Sequence, residues 1–275
     1  MSMWANPMPL LRELNALVHQ EDPLRPSIGA ASDGSSKVEG LRDVTDLISW
    51  NLYPGWYGDS YPDEMTAWIN ERVAADGRDL VGISEYGAGA SIYQHEDWST
   101  LSKPEAAHPW HPEECEAYFR GRTRAAIAAS DKLWGSFVWN MFDFAADHRD
   151  EGDREGINDK GLVTHDRKIK KDAFYFYQAT WTDQPVVHVT SRRFSPRLPG
   201  GATLKVYSNA ESVKVTVNGQ PLGKGSRDGV IHVWDGLELK PGSVDIEAVG
   251  TFGEEVVTDR ITWDVVETLP ERFTN

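Results

Sequence analysis

The sequence predicts an α/β region followed by an all-β module, and three observations carry that prediction. Apolar runs ending near Asn51, Glu85 and Trp139 alternate with amphipathic stretches, the order that builds a parallel sheet covered by helices. From Gln184 onward the pattern changes to short runs of period two, with Gly, Pro and Asn between them. Third, the run Leu80-Val81-Gly82-Ile83-Ser84 ends on Glu85. A carboxylate there sits at the C-terminal end of a buried parallel strand, the end at which β/α barrels do their chemistry.

Taken in order, Pro7 opens a helix with Leu10, Leu11, Leu14, Leu17 and Val18 on one face, and Asp22-Pro23 ends it. A short apolar stretch around Ile28, a Gly/Ser-rich loop from Ser32 to Ser36, and the strand Leu47-Ile48-Ser49-Trp50-Asn51 follow. A second helix places Met65, Trp68, Ile69 and Val73 together and closes at Asp76-Gly77. After the Glu85 strand comes a loop with His95, Trp98, His108 and Trp110, then a helix from about Pro112 to Asp131, then the strand Trp134 to Trp139. A charged loop from Asp147 to Lys160 and a helix carrying Ala173, Phe174, Tyr177 and Trp181 complete about four β/α units, half of a (β/α)8 (TIM) barrel, over residues 1–183. Residues 184–275 hold six or seven short strands with an Asn218-Gly219 hairpin signal, the pattern of an immunoglobulin-like β-sandwich.

Composition narrows the function. A formal charge of -15 over 275 residues repels phosphate backbones and anionic lipid, so neither nucleic acid nor a membrane is expected as partner. Eleven tryptophans and nine tyrosines can stack on sugar rings, but on composition alone they read first as core filling. Cys115 is the single cysteine and allows no internal disulfide. No export signal opens the sequence and no run is apolar enough to span a bilayer, which leads to a soluble, cytoplasmic expectation.

Retaining glycoside hydrolysis uses two carboxyl groups roughly 5 Å apart, one attacking the anomeric carbon and one protonating the leaving oxygen. Glu85 suits the attacking role, although a strand-end glutamate can equally make a structural ion pair. Trp50, Asn51 and Tyr53 at one strand end and Trp139, Asn140 and Asp143 at another would share its rim, a mixture of aromatics, amides and carboxylate suited to sugar hydroxyls. Asp147, Asp150, Glu151 and Asp153 read as a solvated loop, and His108, His111 and Glu114 as surface groups; no metal site is expected from either set.

Four segments carry a resemblance. Ser49 to Tyr57, Ile83-Ser84-Glu85-Tyr86-Gly87-Ala88, Phe137 to Phe144, and Asn158-Asp159-Lys160-Gly161-Leu162-Val163-Thr164 resemble glycoside hydrolase family 2, the β-galactosidases and β-glucuronidases, in order over residues 1 to about 182. The resemblance implies that Glu85 is the nucleophile and that Trp139 and Asn140 contact sugar. It implies that Asn158 and Lys160 grip a substrate carboxylate if the sugar is acidic. The family's general acid is a glutamate in an Asn-Glu pair just ahead of a segment resembling Met3-Trp4-Ala5-Asn6-Pro7, and Met1-Ser2 stand at its place. By this reading the acid, four strands and the family's N-terminal sandwich domains are missing, and the chain is a C-terminal fragment. Asn70-Glu71, the other Asn-Glu pair, lies on an ordinary helix and is not expected to act.

The expected activity is therefore weak retaining hydrolysis of terminal β-galactosides without a cofactor, with Glu85 as nucleophile and Asn51, Tyr53, Trp139, Asn140, Asn158 and Lys160 as sugar contacts. Glucuronide specificity, or a catalytically impaired carbohydrate-binding remnant, are the alternatives. Open edges of a half-barrel favour a homodimer or higher oligomer, in which Asp143 of one chain could serve the other as substitute acid.

Overall fold

Where the sequence alternates buried runs with amphipathic ones, the chain forms strands and helices in the same order. The structure, a computed structural model, describes residues 6–32, 40–101 and 108–270, without the side chains of 116–120. The Met1-Ser2 register and most of the Ser32 to Ser36 loop lie outside the described residues. Two compact units hold the rest, one within Met1–Gly87 and Arg122–Asn140, the other within Ala88–Gly121 and Met141–Asn275.

In the first unit, β1 (Ile28–Ala31), β2 (Leu47–Asn51), β3 (Val81–Tyr86) and β4 (Leu133–Val138) form one sheet in the order β1-β2-β3-β4. Each neighbouring pair is parallel, as expected of strands joined through helices. Helix α1 (Met8–Glu21) precedes them, and α2 (Met65–Asp76) joins β2 to β3. Helix α2 buries Met65 and Ile69, its expected face, and ends where Gly77 takes the left-handed conformation at φ 62°. Helix α1 forms over the expected span, but its apolar stripe is not covered. Leu10, Leu14, Leu17 and Val18 are each about half exposed. A helix-period pattern predicts the helix but not the surface that meets it.

Helix α3 (Glu113–Ala129) leads to β4. In the second unit a small antiparallel pair forms between β5 (Phe144–Ala145), just before the charged segment, and β6 (Ile157–Asn158), near its end, and α4 (Asp172–Trp181) follows. Strands β7 (Val187–Val189), β8 (Gly200–Ser208), β9 (Ser212–Val217), β10 (Gln220–Pro221), β11 (Ser226–Asp228), β12 (Ile231–Leu239), β13 (Gly242–Phe252) and β14 (Glu255–Val265) build two antiparallel sheets, ordered β10-β9-β13-β14 and β11-β12-β8-β7. Both sheets contribute to one core through Val189, Leu204, Val206, Trp234, Ile246 and Trp263. In β13 (Gly242–Phe252) Val244, Ile246 and Ala248 alternate with exposed or half-buried neighbours, so each turns a side chain into that core. Burying a Val, Leu or Ile of this kind is worth about 1.5–3 kcal/mol.

Candidate active site

Glu85 stands at the C-terminal end of β3, and the register of the sheet changes immediately before it. Trp50 pairs with Ile83, yet the next residue, Asn51, pairs with Glu85, leaving Ser84 as the extra residue of a bulge. The Ser84 hydroxyl donates to Asn51 Oδ1 at 2.8 Å, which ties the two strand ends together. Beyond β2, the Leu52 N–H donates to the Glu85 carbonyl at 2.9 Å and brings Tyr53 alongside. The Tyr53 hydroxyl then donates to Glu85 Oε2 at 2.7 Å. Tyr53 is itself braced edge-on by Tyr57, with ring centroids 5.3 Å apart. Glu85 is half-buried, so its carboxylate is oriented without being sealed from solvent.

Trp139 adjoins this group through its N–H, which donates to the Tyr86 carbonyl at 2.9 Å, and the Trp139-Asn140 peptide is cis. Asn140 Oδ1 is buried without a hydrogen-bond partner among the described residues, an acceptor left for a donor such as a sugar hydroxyl. Trp50 does not join the rim. It is wholly buried, its Nε1 donates to Asp76 Oδ2 at 2.6 Å, and the Arg72 guanidinium lies 4.7 Å from its ring centre. Adjacent strand residues face opposite ways, so Trp50 and Asn51 could not both serve the same face.

In the second unit Asp143, Asn158 and Lys160 belong to one buried polar set. Lys171 holds it together, its ammonium donating to Ala90 O at 2.6 Å, Asp143 Oδ1 at 2.8 Å and Asp159 O at 2.8 Å. Asp143 also accepts from the Gly161 N–H at 2.9 Å. Burial raises the Asp143 pKa, and the neighbouring Lys171 charge only partly offsets it. To act as an acid, Asp143 would have to give up this ion pair. Position 161 must be glycine, because a Cβ there would lie 2.1 Å from the Asp143 nitrogen. Asn158 Oδ1 accepts from the Lys160 N–H at 3.1 Å. Asp159 Oδ2 meets His111 Nδ1 at 2.8 Å. Burial alone would raise the Asp159 pKa, but the His111 hydrogen bond and the surrounding cations outweigh it and hold the group in its charged form.

Lys160 is 1 % exposed, with Nζ 3.7 Å from Glu151 Oε1, and Glu151 is 6 % exposed. The expected solvated loop is corrected at Glu151 alone, which is buried against Lys160 and Arg149, the latter donating to both of its oxygens at 2.9 and 3.2 Å; Asp147 and Asp150 are exposed and Asp153 is half-buried. His111 and Glu114 are also buried, not surface groups. They have separate partners, His111 with Asp159 and Glu114 with His95 at 3.3 Å. Among the described residues no three His, Cys, Asp or Glu groups converge as a metal set. Lys171 carries no sequence signal beyond its place before α4.

A further buried cluster fixes α4 in this unit. Asp172 accepts from Ser191 N at 2.6 Å and meets His188 Nε2 at 2.8 Å. Burial would raise the Asp172 pKa, but its bonds to His188 and Ser191 and the charge of Arg193 bring it down to about 2.

A half-buried carboxylate, oriented through one oxygen by a phenol at the end of a parallel strand, is equipped for attack on an electrophilic carbon. Beside it lie an asparagine acceptor and a tryptophan, side chains of the kind that line sites for polar, ring-shaped ligands. No family model matches the sequence. The chain is nevertheless 42% identical over 267 residues to a β-glucuronidase of Bacteroides fragilis, a match covering 96% of this chain and 37% of that protein. It is 28% identical over 127 residues to a β-galactosidase of Bacteroides ovatus, covering 44% of this chain and 14% of that one. Among solved structures, the FMN-binding β-glucuronidase of Facaelibacterium prausnitzii L2-6 matches with a TM-score of 0.83 and 32% identity, covering 99% of this chain and 40% of that chain. The chain is a homologue of the β-glucuronidases and β-galactosidases of glycoside hydrolase family 2. It spans about two fifths or less of the length of these relatives. No helix among the described residues is long and apolar enough to cross a membrane.

Proposed function

We propose that this chain carries the nucleophile half of a retaining β-glycosidase site and that its sugar is a β-glucuronide. The carrying observation is Glu85, oriented by Tyr53 at the C-terminal end of a parallel strand. In the proposed reaction Glu85 attacks the anomeric carbon as the bond to the leaving oxygen breaks, and water then hydrolyses the glycosyl ester to return the free carboxylate. In the first unit Asn51, Trp139 and Asn140 are the proposed partners of sugar hydroxyls, and in the second Asn158 with Lys160 is the proposed partner of an acidic sugar's carboxylate. Identity to a protein named β-glucuronidase favours the acidic sugar over the galactoside that the sequence alone favoured.

Residues 1–183 are read as half of a (β/α)8 barrel and residues 184–275 as an immunoglobulin-like domain; sequential parallel pairing and the two-sheet core support this. Poor leaving groups need a general acid, whose proton commonly supplies about 10² to 10⁴ in rate. Among the described residues β1 and β4 pair on one side only, and α1 exposes leucines, which favours a dimer of two such sheets. Asp143 of a partner copy would be the substitute acid. Hydrolysis of 4-nitrophenyl β-glucuronide faster than the galactoside supports the reading, and no turnover of either overturns it. A monomer by light scattering removes the dimer, and with it the Asp143 role.

A further inference from the structure

The frame that presents Lys160 is tightly bonded. Asn158 caps the Lys160 N–H at 3.1 Å, His111 holds Asp159 at 2.8 Å, and Lys171 holds the Asp159 carbonyl at 2.8 Å. By contrast, the contact between Lys160 Nζ and Glu151 Oε1 is 3.7 Å, beyond a good hydrogen bond but within range of strong charge attraction. Glu151 is meanwhile held through both oxygens by Arg149, whose side chain is 28 % exposed against 6 % for Glu151. The backbone is fixed, then, and the loosest link in the set is one carboxylate against one ammonium.

We propose that Glu151 is a specificity-determining residue: it is the resident counter-ion of Lys160, and an acidic sugar must displace it. The inference rests on the glucuronide reading and adds the competitor that this reading lacks. A glucuronate can take the place of Glu151 because the exchange swaps one carboxylate for another and leaves no ammonium buried without an anion. Glu151 loses little, since Arg149 keeps it paired and leads toward solvent. A neutral C6 hydroxymethyl cannot make the exchange, because it brings no anion to set against Glu151. Glu151 therefore tempers the preference: an acidic sugar has to compete with it for Lys160, whereas a neutral sugar leaves the internal pair in place.

The test is titration of the full chain with D-glucuronate and D-galactose by NMR, in wild type and in Glu151→Gln, Arg149→Met and Lys160→Met variants. Removing the competitor in Glu151→Gln should raise the ratio of glucuronate to galactose affinity by about fivefold or more. Releasing Glu151 from Arg149 in Arg149→Met should leave it to Lys160 alone and lower the ratio, a change in the opposite direction that stands if the first variant does not fold. A ratio unchanged or lowered in Glu151→Gln, or raised in Arg149→Met, overturns the proposal. Loss of the preference in Lys160→Met supports the underlying reading. A wild-type protein with no preference for glucuronate sinks that reading and this inference together, whereas a preference that Glu151→Gln leaves untouched sinks the inference alone.

Discussion

The Tyr53 hydroxyl donates a 2.7 Å hydrogen bond to Glu85 Oε2, so the carboxylate at the end of β3 is held by a residue just beyond the neighbouring strand. Oε2 is held in this way, and in the proposed reaction Oε1 is the attacking oxygen. A hydrogen bond to a charged group is worth about 1.5–3 kcal/mol. Tyr53→Phe should lower kcat on aryl glycosides by roughly 10- to 100-fold while the circular dichroism spectrum stays unchanged. Full activity would show that Glu85 needs no such hold.

Lys171 and Asp143 form a buried ion pair, each 3 % exposed or less. Removing one partner leaves the other charge without compensation, so Lys171→Met should cost about 3–5 kcal/mol in urea unfolding. Asp143→Asn should destabilise as well, because the Lys171 ammonium remains. An Asp143→Asn protein that keeps wild-type stability but loses turnover would move Asp143 from structure to chemistry.

At position 161 the constraint is steric, since an added Cβ would meet the Asp143 nitrogen at 2.1 Å and the Phe142 carbonyl carbon at 2.4 Å. Backbone cannot step aside as a flexible side chain can. Gly161→Ala should lower stability by about 1–3 kcal/mol, seen as a reduced Tm.

Asp172 gives the acid side of the stability profile a defined window. Its pKa is about 2 when folded against an ordinary 3.8, so between those values the unfolded chain binds the extra proton. Its contribution is complete above the unfolded value and fades as pH falls toward the folded one. The stability difference between wild type and Asp172→Asn should be large near neutral pH and shrink on acidification through that window. A difference independent of pH would contradict the assignment.

Much of the fold was legible because burial writes a period into the sequence. The runs ending at Asn51 and Glu85 became β2 and β3, and the alternating runs after Gln184 became the two antiparallel sheets. Glu85 could be singled out from its strand and wording alone. Trp50 was misplaced because a strand's side alternates residue by residue, and composition does not say which side is the core. The segment from Asp147 to Lys160 was misread in part for a related reason. Asp147 and Asp150 are exposed as expected, but Glu151 is buried against Arg149 and Lys160, and Asp159 is held by His111 and Lys171, partners distant in sequence. Long-range pairing of that kind has no local signature, and neither does the uncovered face of α1.

The most direct test of the account is covalent trapping. A 2-deoxy-2-fluoro aryl β-glucuronide should form a long-lived glycosyl ester, because the fluorine slows the step that releases it. Mass spectrometry of the digested protein should find the added sugar on the peptide containing Glu85, and on no peptide of a Glu85→Gln protein. A label on another carboxylate, or equal labelling of the Glu85→Gln protein, would contradict the assignment of Glu85 as nucleophile.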